Sequence, residues 1–231
     1  MKATVIIRTK NEGPIFDKVL QKLKDQTFQD FDIVIVDDNS TDGTDMKAFD
    51  YFDKSRVQVI NVPKGKFTHP LSCNLGAKIS KGEYLVYLNG HSIPVSNTWL
   101  EDGLLNFNGK VAGVFAFCLP NPDDNLFMQF IGNLFTRLFH SRKEVYQRTG
   151  MGILGTTNAI LRKDLWGKYP FNEAFEKGGE DGDWAGHWTV RGYILIQDPK
   201  FRAYHSHNWT PVSLVKQYLA WRKMAHPSRI H

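Results

Sequence analysis

Cysteine is scarce in this chain: Cys73 and Cys118 are the two in 231 residues. Their spacing fits neither a disulfide framework nor a zinc site, so the expected setting is a reducing one, the cytoplasm. Long hydrophobic runs are missing as well, and none reaches the ~20 residues of a membrane span. A strand pattern starts at Ala3, so no signal peptide is expected ahead of it. No RNP-like, zinc-finger or helix-turn-helix signature occurs, and lysine and arginine are dispersed rather than blocked, which sets nucleic acid aside as a partner. No internal repeat or linker-like stretch divides the chain, so residues 1–231 read as one domain.

What is present is enough apolar material for a core, 42% of the chain with 16 phenylalanines, and a basic excess of +5 with a pI near 9.1. That balance suits nucleotide phosphates or an acidic membrane surface. The segments Ala3–Arg8, Phe31–Val36, Val57–Val62 and Tyr84–Leu88 are short, apolar and rich in β-branched residues, the pattern of buried strands. Helical spacing separates them: Ile15, Val19, Leu20 and Leu23 after Pro14, then Met46, Phe49 and Phe52, then Leu71–Ser80. This alternation predicts an α/β protein with a mostly parallel, doubly wound (Rossmann-like) sheet and helices on both faces. Further helices are expected over Asn97–Asn106, Asp183–Arg191 and Val212–Met224, and strands over Val111–Phe117, Asn158–Arg162 and Tyr193–Ile196.

The most informative stretch is Asp37-Asp38-Asn39-Ser40-Thr41-Asp42-Gly43-Thr44, where a buried strand ends in two carboxylates and a polar turn. Ligands of open α/β sheets bind outside the carboxyl ends of the strands. Ser40 and Asp42 are suited to capping the next helix. Asp37, inside a strand end, needs a partner for its charge.

In this order the motifs resemble family 2 glycosyltransferases of the GT-A fold. Val5–Glu12 is similar to that family's first strand and nucleotide loop, Ile35–Thr44 to its second, and Asn74–Ala77 with Gly82–Leu85 to the helix and strand before its metal motif. Glu180-Asp181-Gly182-Asp183-Trp184 resembles its Glu-Asp motif. The resemblance covers roughly residues 3–207. It departs where most of the family carries Asp-x-Asp: here the residues are Asn89-Gly90-His91, followed by Ser92-Ile93-Pro94, a Gly-His-x-x-Pro variant similar to rhamnosyltransferase-like and polysaccharide-assembly enzymes. Residues 1–94 then read as a nucleotide-binding half and 95–231 as an acceptor and catalytic half ending in a helix.

The resemblance implies a sugar nucleotide as co-substrate, UDP- or dTDP-linked, and a single displacement with inversion at the anomeric carbon. It points to Thr9, Asn11 and Glu12 as lining the nucleotide pocket, Asp37 as acceptor for a pyrimidine N–H, and Asp38 or Ser40 as reaching the ribose. Asn158 and Arg162 flank the donor sugar on this reading, and Asn89, in the altered metal motif, is a further residue for binding the sugar nucleotide. Asp181 is the expected general base, with Glu180 orienting the acceptor. With no acid left in the metal motif, His91 and a late histidine, His205 or His207, are the candidate ligands for Mn2+ or Mg2+. A metal-free clamp built on Lys64, Lys66 or Arg8 is the alternative. Trp184 and Trp188 are either core or an apolar face for a sugar ring.

The expected acceptor is a hydroxyl of a glycan or a lipid-linked saccharide in polysaccharide synthesis. Leu126, Phe127, Phe130, Ile131, Leu134, Phe135, Leu138 and Phe139 form a broad apolar stripe near Arg137, Arg142, Lys143 and Arg148. It is either core, a homodimer contact or an interfacial helix. With Lys216, Arg222, Lys223 and Arg229 it suits a peripheral position on the inner membrane face. Two other readings compete. A nucleotidyltransferase would need a glycine-rich phosphate loop that Thr9–Gly13 does not provide. A non-catalytic or weakly hydrolytic sugar-nucleotide binding protein would have less use for Glu180-Asp181.

Overall fold

The protein is described from a computed structural model covering residues 1–150, 153–176, 178–205, 207 and 210–224. Ser206 and Arg229 lie outside the described residues, as do the side chains of Phe139, Arg222 and Lys223.

The first half winds as the alternation predicts: β1 (Ala3–Thr9), α1 (Pro14–Lys24), β2 (Phe31–Asp37), β3 (Val57–Asn61), α2 (His69–Ile79) and β4 (Tyr84–Asn89). Then come β5 (Ile93–Pro94), α3 (Trp99–Leu104), β6 (Val111–Phe115), α4 (Leu126–Phe139), β7 (Glu144–Tyr146), β8 (Asn158–Arg162), α5 (Lys163–Lys168), α6 (Glu180–Thr189), β9 (Ile194–Gln197), β10 (Ala203–Tyr204) and α7 (Pro211–Met224). One eight-stranded sheet runs β3-β2-β1-β4-β8-β6-β9-β7, and β10 pairs with β5 in a small second sheet. β3, β2, β1 and β4 are mutually parallel, as are β6 and β9, while β8 and β7 run antiparallel to their neighbours. The doubly wound, mostly parallel expectation therefore holds.

The strands are apolar on both sides because both faces are covered. Ile33 and Ile35 of β2 join α1 residues Phe16, Val19, Leu20 and Leu23 in one core layer, together with Trp99 of α3. Val34 and Val36 face the other layer, with Cys73 and Ala77 of α2, Leu165 of α5 and Trp184 and Trp188 of α6. Trp184 is fully buried and Trp188 nearly so, which removes both as a platform for a sugar ring.

The helix expected around Met46, Phe49 and Phe52 is instead a 3-10 segment, Thr44–Asp50. It follows a left-handed Gly43 and is too short to hold an α-helical apolar face, leaving Met46 57% exposed. The helix expected from Asp183 starts earlier, at Glu180. The small strands β5, β7 and β10 and the six-residue α5 had too little periodicity to be read from sequence.

Helix α2 lies very close to the sheet because Gly76 has no side chain. A Cβ there would sit 2.3 Å from Ile6 Cγ2 and 2.9 Å from Val36 Cγ2. Gly76→Ala should lower unfolding free energy by about 1–3 kcal/mol through overpacking, measured by urea denaturation. An unchanged midpoint would mean that α2 moves away freely.

Candidate active site

The carboxyl ends of β1, β2, β4, β6 and β9 share one edge of the sheet, and there the charged residues converge. Arg8, the penultimate residue of β1, is 7% exposed. Its guanidinium donates to Asn89 Oδ1 at 2.5 Å and to the Thr156 carbonyl at 3.1 Å, and lies 3.2 Å from His69 Nδ1. Its positive charge acts on Glu180, Asp181 and His205.

The two expected nucleotide loops clasp each other. Asp37, 1% exposed, accepts from Thr9 Oγ1 at 2.9 Å and from the backbone N and Oγ of Ser40, both at 2.6 Å. Asn11, at φ 51°, donates its backbone N–H to Ser40 Oγ and accepts from Thr41 N with its side chain. Asp38 pairs with Lys10 at 2.5 Å. Asp42 accepts from Gly13 N and Thr44 N, the capping role anticipated for it. Three of the acceptor positions of Asp37 are thus taken by its own loops, whose shape it fixes.

Glu12 also differs from expectation. Its carboxylate packs over Gly90, where a Cβ would meet Glu12 Cγ and Oε1 at 2.7 Å, and it accepts from His91 Nδ1 at 2.9 Å. A carboxylate can only accept, so the proton of that imidazole is fixed on Nδ1 and the Nε2 lone pair is left available. Nε2 is buried and has no hydrogen-bond partner among the described residues.

His205 and His207 come from the segment around β10 and meet His91: one ligand nitrogen from each lies within 4.8 Å of the others. The His91 and His205 rings stack at 4.7 Å, and Ser92 Oγ holds His205 Nδ1 at 3.0 Å. Burial, then the neighbouring His91 and His207, pull His205 down to about 3, and burial lowers His207 too. These rings therefore stay neutral, as imidazole ligands must. Three imidazoles with an orphaned, inward nitrogen fit a Mn2+-like cation better than Mg2+, which prefers oxygen. Both late histidines join the cluster, where one was expected.

Helix α6 delivers the acids. Gly179, at φ 108°, turns the chain into the helix, a conformation open to glycine. Glu180 is 2% exposed and its Oε2 has no partner among the described residues. Desolvation, then the charge of Asp181, push it up to about 7. Asp181 is half-buried, accepts from Gly182 N at 2.7 Å, and is raised by desolvation. Asp183 is tied to the Tyr169 hydroxyl at 2.9 Å.

Two expected residues are not brought together with these. β8 runs antiparallel to β4, so Asn158 pairs with Leu88 near the active edge while Arg162 pairs with Tyr84 at the opposite one. Arg162 binds Asp164 there, beside a shallow hollow lined by Glu83, Tyr84 and Phe107. Asn158 is 1% exposed and spends its amide on Trp99 Nε1 and the Phe201 carbonyl. Asn89 accepts from Arg8 rather than facing outward. Lys64 and Lys66 are exposed on the loop after β3. The residue that sequence reasoning undervalued is Arg8. The signal was present, a lone charge inside an apolar strand.

The sequence model of Glycosyl transferase family 2 matches residues 4–169. GalNAc(5)-diNAcBac-PP-undecaprenol beta-1,3-glucosyltransferase of Campylobacter jejuni is 24% identical across 96% of this chain and 70% of its own length. The O-antigen chain rhamnosyltransferase RfbN of Salmonella typhimurium is 24% identical across 94% of this chain and 70% of its own. Mannosyltransferase PcManGT from Pyrobaculum calidifontis, solved with GDP-Man and Mn2+, superimposes with a TM-score of 0.66 at 19% identity, over 96% of this chain and 60% of that one. S. aureus TarS 1–349 in complex with UDP gives 0.66 at 18% identity, over 97% and 65%. The chain thus spans less than two thirds of these solved chains, and the likeness to them is one of fold, the GT-A fold.

Glu180 makes stability depend on pH. Its carboxyl titrates near 7 in the folded protein against 4.5 ordinarily, so the folded state holds the extra proton between those values. Stability should therefore fall as pH rises through that window. Glu180→Gln removes this titration, so its melting temperature relative to wild type should climb between pH 4.5 and 7 and level off outside. A difference that stays constant with pH would refute the raised value.

Proposed function

The chain belongs to glycosyl transferase family 2, and from that premise we propose that it is an inverting enzyme moving a sugar from a UDP- or dTDP-linked donor to a hydroxyl of a glycan or lipid-linked saccharide. The observation that carries this reading is the meeting, around one buried arginine, of an imidazole cluster and a carboxylate pair at the carboxyl edge of the sheet. Transfer needs both: charge compensation for a departing diphosphate and a base for the acceptor proton. The two relatives, one acting on an undecaprenol-PP-linked glycan and the other on an O-antigen chain, support a polysaccharide-assembly role and a lipid-linked acceptor.

His91, His205 and His207 would hold a divalent cation, with Glu12 orienting His91. When bound, such an ion supplies Lewis-acid neutralisation of diphosphate charge. The loops tied by Asp37 and Ser40 form the floor for the base and ribose, with Asp38 at its rim. Asp181 takes the proton from the acceptor hydroxyl as its oxygen bonds to the anomeric carbon, on the side opposite the leaving nucleoside diphosphate. Its partial exposure lets an acceptor reach it, whereas Glu180 is closed off. Glu180, held toward its protonated form by desolvation and by the charge of Asp181, limits the negative charge beside the base and positions the turn that carries it.

Asp181→Asn keeps the shape and removes the basicity. It should leave nucleotide binding by calorimetry near wild type and cut transfer by about 10²–10⁴-fold. Wild-type transfer by Asp181→Asn would reassign the base. In a second test, chelator should abolish transfer and Mn2+ restore it, while Glu12→Gln should need more Mn2+ for half-maximal rate by ~10–100-fold, the range for a lost partner of a metal ligand, and His91→Ala more still. Full activity in chelator would leave the clamp to protein cations alone.

A further inference from the structure

Helix α4 sits the wrong way round for an element that only closes the core. Among the described residues its inner side buries only Met128 and Thr136, and at Gly132 a Cβ would lie 3.0 Å from the Pro120 ring. Most of its bulky residues face out, with Phe127 and Ile131 half-buried. Leu126, Phe130, Leu134 and Leu138 are 84, 67, 41 and 64% exposed. Spaced four apart, they form one continuous stripe. Arg137 is exposed beside it and Arg142 just beyond its end. Helix α7 repeats the pattern, with Val212, Val215 and Leu219 exposed at helical spacing around Lys216.

Both helices leave from the mouth of the candidate site. Asp124, just before α4, acts electrostatically on His207, which shortly precedes α7. The backbone of His205 bonds the Leu119 carbonyl on the approach to α4.

Charge follows the same geography. Residues 125–150 and 199–231 together hold ten lysines and arginines against one acid, Glu144, while the rest of the chain holds nineteen basic and twenty-three acidic residues. The basic excess thus belongs wholly to the segments carrying the exposed apolar faces. A two-fold contact between copies through this face would set two basic patches against each other. An anionic lipid surface satisfies both the apolar stripe and the charge. No helix among the described residues is long and apolar enough to cross a membrane, so contact would be in the plane of the interface.

We propose that α4 and α7 dock this protein on an anionic bilayer, with the Leu126–Phe130–Leu134–Leu138 stripe in the headgroup–acyl boundary and Arg137, Arg142 and Lys216 against lipid phosphates. Docking brings the mouth of the site to the lipid surface. The proposal goes beyond the transfer reaction, and its test uses neither donor nor acceptor.

The test is flotation of the full chain with phosphatidylglycerol–phosphatidylcholine vesicles and with pure phosphatidylcholine vesicles. Wild type should float with the anionic vesicles and lose most binding without phosphatidylglycerol or at high salt. Phe130→Ser/Leu138→Ser should lower the partition coefficient about tenfold or more, and Arg137→Gln about fivefold, with melting temperatures unchanged because these side chains are exposed. Equal flotation of wild type and all variants, or none by wild type, overturns the proposal. So does light scattering that finds a wild-type dimer made monomeric by Phe130→Ser/Leu138→Ser without vesicle binding.

Discussion

A guanidinium at the end of a strand buried along its whole length has little access to water, so the protein has to bring acceptors to it. Arg8 is that guanidinium, and much of the candidate site can be derived from its needs. Asn89 closes β4 with an amide oxygen at 2.5 Å, the Thr156 carbonyl approaches from the turn before β8, and His69 opens α2 beside it. Three separate elements are thereby pinned to the end of β1. The acids of α6 obey the same logic at longer range. Without a buried cation nearby, two adjacent carboxyls at Glu180 and Asp181 would be driven still further toward the neutral form. Arg8 offsets part of their desolvation cost and so favours the ionised form of both.

The same cation bears on the unusual metal motif. An acid at position 89 would form a buried ion pair with Arg8 and draw its charge away from Glu180 and Asp181. Asparagine satisfies the geometry while leaving the charge uncommitted. Beside that asparagine the cluster offers three imidazoles rather than acids. Burial, then His91 and His207, and last Arg8 disfavour protonation of His205, so the arrangement that removes acids also keeps this ring neutral.

Much of this frame was legible in the sequence. Fully apolar β-branched runs read as buried parallel strands, and Asp37 and Asp38 fell at the sheet edge where expected. His205 and His207 were visible as alternate residues of an extended segment, and His91 by its place in the motif order. What failed did so for identifiable reasons. Periodicity reveals a strand but not its direction, so the antiparallel run of β8 sent Arg162 to the far edge. Composition at a turn does not show which donors a carboxylate already holds, and Asp37 holds the backbone and hydroxyl of Ser40. A helical stripe does not say which side is inward, and α4 buries Thr136 while exposing Phe130.

The pairing of Glu12 with His91 shows how these local choices become one device. The two residues are 79 apart in sequence, on loops after β1 and β4, and those strands are direct neighbours in the sheet. Their contact depends on the absence of a side chain at Gly90, because any Cβ there would strike the Glu12 carboxylate. With the gap kept, Glu12 holds the Nδ1 proton and leaves the His91 Nε2 lone pair unspent in the cluster with His205 and His207. Glu12 is itself fixed through its backbone N–H to Thr44, beyond the Asp37 turn. The loop that would cradle a nucleotide and the imidazoles that would meet its diphosphate are therefore parts of a single hydrogen-bonded unit. A ligand that tightens one end of this unit must also order the other.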